Sequence, residues 1–167
     1  STAHNNLAFN YYYGRGVEKD LVKAFDLFYT AAQDADRTTS QKMVAEMYEN
    51  GTGVKQDLAA AFLWYSKAAD HKDIDSAYKV GYMLTQGIGT SKDLSKALPY
   101  YRIAADTGHI QANDEIGNAY LYGLGTKVDY KTAYKYVSFA AKKKIHRSEY
   151  NLGVMYQKGL GLEKSDK

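Results

Sequence analysis

The chain has 167 residues, 45% of them hydrophobic and 25% charged, with a formal net charge of +3. That balance belongs to a folded domain and is too weakly basic to point to nucleic acid. It has no cysteine, which excludes disulfides, thiolate catalysis and cysteine-ligated metals, and no apolar run approaches the ~18–20 residues that cross a bilayer, so direct membrane insertion is not expected. Its 17 tyrosines stand against one tryptophan and one proline; tyrosine joins a flat apolar face to a polar tip and suits half-buried packing and wet binding surfaces alike.

A recurring loop organises the sequence. Gly14-Arg-Gly-Val-Glu-Lys-Asp20 returns as Gly51-Thr-Gly-Val-Lys-Gln-Asp57, Gly87-Ile-Gly-Thr-Ser-Lys-Asp93, Gly123-Leu-Gly-Thr-Lys-Val-Asp129 and Gly159-Leu-Gly-Leu-Glu-Lys-Ser165. The first glycines are 37 residues apart once and 36 apart thereafter, a period that marks a solenoid. Eleven residues before each first glycine stands a small residue: Ala3, Ser40, Ser76, Ala112, Ser148. An aliphatic follows (Leu7, Val44, Val80, Ile116, Leu152), then a second small residue (Ala8, Ala45, Gly81, Gly117, Gly153), then Tyr11, Tyr48, Leu84, Tyr120 or Tyr156. These offsets trace one stripe of an α-helix of about 11 residues, helix A, with small residues where a neighbouring helix must come close.

The loop glycines end helix A, and Asp20, Asp57, Asp93 and Asp129 stand where the N-cap of a second helix belongs. Helix B carries Ala24, Ala61, Ala97 and Ala133, then Leu27/Phe28, Trp64/Tyr65, Tyr100/Tyr101 and Tyr136/Val137, and closes on an alanine doublet, Ala31-Ala32, Ala68-Ala69, Ala104-Ala105 or Ala140-Ala141. Pro99 falls in the third helix B and either kinks it or sits in a late first turn. The extra residue of the first interval falls between Gln33 and Ser40, and Lys142-Lys143-Lys144 follows the fourth helix B, where lysines favour the helix C-terminus. The expected fold is all-α, an α/α right-handed superhelical solenoid of antiparallel helix pairs with four full repeats plus helix A of a fifth. A single repeat domain spans 1–167, its repeats at about 1–37, 38–73, 74–109, 110–145 and partial 146–167, and the sequence reads as a fragment of a longer chain.

The run Ala112-x-x-x-Ile116-Gly-x-x-Tyr120-x-x-Gly-x-Gly125-x-x-x-Asp129-x-x-x-Ala133, closing on Ala140-Ala141, resembles the Sel-one-like repeat (SLR) family, a relative of the tetratricopeptide repeat. The resemblance covers essentially the whole chain, with Leu84, Ser165 and a B-to-A glycine confined to Gly108 as its departures. It implies a non-catalytic adaptor or scaffold. Family members serve in endoplasmic-reticulum quality control, in fungal chitin-synthase activation and in bacterial signalling or host interaction.

In the related tetratricopeptide geometry helix A lines the concave face. Carried over by phase, the concave positions lie nine, five, two and one residues before the first loop glycine. They read Asn5, Phe9, Tyr12, Tyr13; Lys42, Glu46, Glu49, Asn50; Tyr78, Tyr82, Thr85, Gln86; Asp114, Asn118, Leu121, Tyr122; and Tyr150, Val154, Gln157, Lys158. Packing positions are nearly uniform from repeat to repeat, whereas these vary, as a surface tuned to one partner does. The expectation is a protein or peptide partner held by aromatic anchors with amide neighbours. Self-association, for instance as a homodimer through the uncapped last helix, is the alternative.

Catalytic and metal chemistry is not expected, nor is a cofactor. Ser76-Ala-Tyr-Lys79 matches the Ser-x-x-Lys of penicillin-binding enzymes, a remote hydrolase alternative, yet Ser76 holds the small-residue packing position and no Lys-Thr-Gly accompanies it. His4, His71, His109 and His146 lack ligand spacing, and no Gly-x-Gly loop has a dinucleotide or Walker pattern. Asn50-Gly-Thr52 is a glycosylation sequon already explained by the loop.

Overall fold

A computed structural model describes residues 2–34 and 38–162. Ser165 and the middle of the first B-to-A turn, residues 35–37, lie outside the described residues. Nine helices and no strand form among those described: α1 (Thr2–Tyr13), α2 (Leu21–Ala32), α3 (Thr38–Asn50), α4 (Leu58–Asp70), α5 (Ile74–Gln86), α6 (Leu94–Ala105), α7 (Ile110–Tyr122), α8 (Tyr130–Lys142) and α9 (His146–Lys158). Odd-numbered helices are the A helices of the repeats and even-numbered ones the B helices, so the fold is the helical-repeat solenoid expected. Two compact units divide it at the end of the third glycine loop: Ser1–Lys92, with α1 to α5, and Asp93–Lys167, with α6 to α9.

Three kinds of fastening recur in the loops. The first glycine turns left-handed (Gly87 φ 74°), and the N–H of the next residue reaches back to the last turn of helix A, as in Ile88 to Met83 O at 2.9 Å. The aspartate N–H then donates to the helix-A tyrosine carbonyl (Asp20 to Tyr11, Asp57 to Tyr48, Asp129 to Tyr120, each 3.0 Å). Its carboxylate caps helix B, accepting from the N–H of Lys23, Ala60, Lys96 or Thr132. The Lys96 amide donor, with the Ser95 hydroxyl behind it, holds the Asp93 carboxyl at about 2. A carboxylate depressed in this way adds stability above the ordinary aspartate range and gives it up as the pH falls toward 2.

The second glycine has a different task, which the sequence does not show. A Cβ on Gly53 would lie 2.1 Å from Leu21 O, on Gly89 2.0 Å from Leu58 O, on Gly125 2.5 Å from Leu94 C, and on Gly161 2.1 Å from Tyr130 O. Each second glycine therefore rests on the first turn of the preceding repeat's helix B, main chain against main chain. Gly16 has no such neighbour within 4 Å among the described residues.

The helix stripes pack as their periodicity predicts. Ala24, Ala61, Ala97, Ala133 and the alanine doublets are buried, with Phe28, Tyr65, Tyr101 and Val137 at one shared helix-B position. A Cβ on Gly117 would meet Val137 N at 2.9 Å, so glycine permits that approach of α7 and α8. Ala3 and Leu7 of α1 are exposed, since no described helix precedes α1.

Three local findings go beyond the sequence. Helix A begins about two residues earlier than its apolar stripe, because the Asp73 carboxylate accepts from Ser76 N–H at 2.8 Å and His109 Nδ1 from Ala112 N–H at 3.2 Å. Pro99 is the sixth residue of α6, well past the first turn, so Ser95 C=O has no N–H four residues on to receive. Lys72 (φ 64°) and Lys144 (φ 66°) take the left-handed conformation that Gly108 (φ 85°) takes at the same repeat position. Relieving that strain is partly offset by glycine's freer unfolded chain. Lys72→Gly and Lys144→Gly are each expected to stabilise the protein by about 0.5–1 kcal/mol, readable as a raised melting temperature.

Candidate functional site

The helix-A positions divide into a seam between successive repeats and a surface. In unit 1, Ser40 Oγ donates to Asn5 Oδ1 at 2.9 Å, tying α3 to α1. Lys42 pairs with Asp75, and Lys79 with Glu49 at 3.0 Å, tying α5 to α3. In unit 2, Asp114 accepts from Ser148 Oγ and from Arg147 Nε (2.8 Å), while Arg147 also reaches Glu115 at 2.7 Å. The residue nine before one loop thus meets the small residue eleven before the next. Ser76 Oγ, fully buried, has no hydrogen-bond partner among the described residues. Its counterpart at that joint is Lys42, a donor that offers no acceptor.

This joint corrects the sequence assignment of several surface residues. Asp114 is only 7% exposed, and its carboxylate is spent on Ser148 and Arg147. Leu121 is buried in a cluster with Ala133, Val137 and Met155. Asn5 and Lys42 are likewise committed to the seam. The sequence pattern placed Asn5, Lys42 and Asp114 by phase within one repeat, whereas their partners belong to the next repeat. Complementary residues 33 apart, Lys42 with Asp75 and Asp114 with Arg147, were the available signal.

What remains is aromatic. In unit 1, Phe9 stands edge-on to Phe28 (centroids 4.9 Å apart) and stacks beside Tyr13 at 6.1 Å; Tyr12 meets Tyr13 at 5.0 Å. Tyr13 is 53% exposed, and the Arg15 guanidinium lies 4.7 Å from its ring centroid. On α5, Tyr82 is 41% exposed, Tyr78 half-buried and Gln86 exposed. Glu46 is half-buried; loss of solvation, ahead of the opposing pull of Lys42, raises its carboxyl above the usual range. Burial, and then the bond from Tyr65 to Glu49 (2.7 Å), push the Tyr65 hydroxyl far above the ordinary tyrosine range.

In unit 2, Tyr122 is 52% exposed, yet its hydroxyl donates to Asn151 Oδ1 at 2.9 Å. Asn151 in turn donates to Asn118 at 3.5 Å. The ring of Tyr122 is therefore presented to solvent in a fixed orientation. Tyr150 is 70% exposed. Sequence reading missed Asn151, Lys79 and Arg147, all of which orient these faces.

The residues considered for chemistry are engaged elsewhere. Ser76 is sealed among packed helices, and Lys79 is drawn to Glu49 and lies 5.9 Å from the Tyr65 ring centroid. No group of three or more potential metal ligands is gathered among the described residues, and no described helix is long and apolar enough to cross a membrane.

Stacked helix pairs joined by glycine loops, with variable aromatics on the A helices, define a helical-repeat protein of the tetratricopeptide-like kind. The sequence pattern of the Sel1 repeat matches residues 1–36, 38–73, 74–109, 110–144 and 146–167. The chain belongs to the Sel1 repeat family, whose members are in general protein–protein interaction modules. It is similar to a Sel1 repeat protein of Oxalobacter formigenes, at 33% identity and a TM-score of 0.84 over 98% of this chain and 67% of that one. It is also similar to a protective antigen of uropathogenic Escherichia coli with an SLR fold, at 34% identity and a TM-score of 0.80 over 99% of this chain. The chain spans about a third, 35%, of that antigen. Cysteine rich protein B of Helicobacter pylori matches over 54% of this chain at 30% identity and a TM-score of 0.50. Among curated proteins no match is found.

Proposed function

We propose that this protein is a non-catalytic scaffold that holds a peptide or protein segment on its helix-A faces, as Sel1 repeat proteins of quality-control, cell-wall-regulating or signalling complexes do. The observation that carries the reading is the contrast between columns. Core positions repeat from one helix pair to the next, while Tyr82, Tyr122 and Tyr150 stand exposed on the A helices in columns that do not repeat. Large aromatic side chains with few rotatable bonds make effective anchors, and a ring already held by a hydrogen bond, as Tyr122 is by Asn151, loses little freedom on binding.

Tyr82→Ala and Tyr122→Ala are each expected to weaken partner binding by ~1–2 kcal/mol and to leave the melting temperature nearly unchanged. The check is affinity capture with the intact chain against the double variant, followed by titration of the captured partner against each single variant. A large fall in helicity in either variant would return these rings to the core and defeat the reading.

Self-association is the second reading, favoured by Tyr150 and Tyr156, both more than half exposed on α9. Sedimentation at several concentrations decides it: a concentration-dependent rise in mass that Tyr156→Ala abolishes would support a dimer through this helix.

A further inference from the structure

Phe9, Glu46 and Tyr82 occupy one repeat position, five residues before the first loop glycine, on α1, α3 and α5. The seam bonds of unit 1 set these three helices side by side, so the middle of an aromatic row is interrupted by one carboxylate. Elsewhere this position holds Asn118 or Val154. An aromatic or an amide there spares the cost of drawing a charge out of water. The carboxylate therefore gives the stack nothing that its neighbours do not give more cheaply.

Nor does the seam use it. In unit 2 the corresponding Asn118 is bonded by Asn151 of the next A helix. In unit 1 the residue in Asn151's place is Lys79, which hydrogen-bonds Glu49 instead, while Lys42 turns to Asp75. Lys42 and Lys79 attract Glu46, and Glu49 and Asp73 repel it. Both lysines are already neutralised by their own carboxylate partners, and the Glu46 carboxylate accepts no hydrogen bond among the described residues. The same face takes a cation elsewhere: Arg15 lies over Tyr13, the attraction of a guanidinium for an aromatic ring.

We infer that Glu46, between Phe9 and Tyr82, is the docking point for a lysine or arginine side chain of the bound peptide. The carboxylate supplies a charge-assisted hydrogen bond, and the flanking rings receive the cation's alkyl stem or guanidinium plane. This rests on the scaffold reading above and names the chemistry of its partner. Unit 1 then selects for charge, while the aromatic anchors supply contact area.

The pH dependence has a definite sign. Burial raises the Glu46 carboxyl, so in the absence of a partner its contribution favours the fold at low pH and is lost as the pH rises through the raised value. A bound cation needs the ionised form, so docking weakens as the solution is acidified through that same value.

The test uses immobilised pools of short peptides, random except for one fixed residue, probed with the full chain. The wild type is expected to prefer pools fixed as lysine or arginine. Glu46→Gln should lower those signals about tenfold, at an unchanged or raised melting temperature, and Glu46→Asp should keep most of the preference. Raised salt should erode the lysine signal and spare pools fixed as aromatic residues. Binding that prefers acidic or uncharged pools, or that ignores Glu46→Gln, overturns the inference and leaves the scaffold reading standing. Failure of the wild type to bind any pool overturns both.

Discussion

Gly89→Ala is expected to cost about 3–5 kcal/mol of stability, while Gly16→Ala costs about 1 kcal/mol. Both residues are second loop glycines with left-handed backbones, at φ 66° and 71°, so both pay the conformational strain of a Cβ. Only Gly89 meets the preceding repeat: its Cβ would lie 2.0 Å from Leu58 O and 3.0 Å from Ala59 N. Those are main-chain atoms in the first turn of α4, and they cannot swing aside as a side chain can. Accommodation requires the third loop to lift away from α4, with loss of helix packing around it. Urea unfolding of the two variants, followed by far-ultraviolet circular dichroism, measures the difference. Equal losses would show that the close approach contributes nothing and that backbone strain alone selects glycine.

The second large effect belongs to the seam of unit 2. Arg147→Ala should destabilise the protein by about 2–3 kcal/mol, because it leaves the enclosed Asp114 carboxylate with Ser148 as its remaining hydrogen-bond partner. The arginine itself is partly exposed, with 43% of its side chain open to solvent, which keeps the loss below that of a fully buried pair. Asp114→Ala frees Arg147 to turn to Glu115 and water, at the cost of an unpartnered Ser148 hydroxyl. The double variant should therefore lose less than the two single losses added together. A double-mutant cycle by thermal unfolding gives the coupling, and strict additivity would mean that the bonds across this joint do not act as one group.

These two cases also show where the sequence was readable and where it was not. Everything that recurs within one repeat could be read: the apolar stripes, the helix-ending first glycine, the capping Asp20, Asp57, Asp93 and Asp129, and the alanines of helix B. What depends on two repeats at once could not. Gly89 looks like part of its own turn, yet the atom that forbids a side chain there belongs to Leu58. Asp114 looks like a surface acid by phase, yet Ser148 and Arg147 arrive from the next repeat and enclose it. Pro99 follows from the same cap, since Asp93 fixes where α6 begins and so places the proline beyond its first turn. On the candidate faces the exposed tyrosines were legible as a departure from repetition, whereas the tether that orients Tyr122 lay in Asn151, outside the columns considered.

The contact made by the second glycines has an evolutionary corollary. Gly53, Gly89, Gly125 and Gly161 each meet backbone atoms, which every amino acid supplies in the same form. This one contact between consecutive repeats therefore depends little on which side chain stands at the first turn of helix B, where Leu21, Leu58, Leu94 and Tyr130 are found. A lineage that duplicates, deletes or transposes repeats keeps this contact and has only the side-chain seam to refit. Mutation is then free to act on the columns facing a partner, so a new specificity can be assembled by reordering segments that already fold.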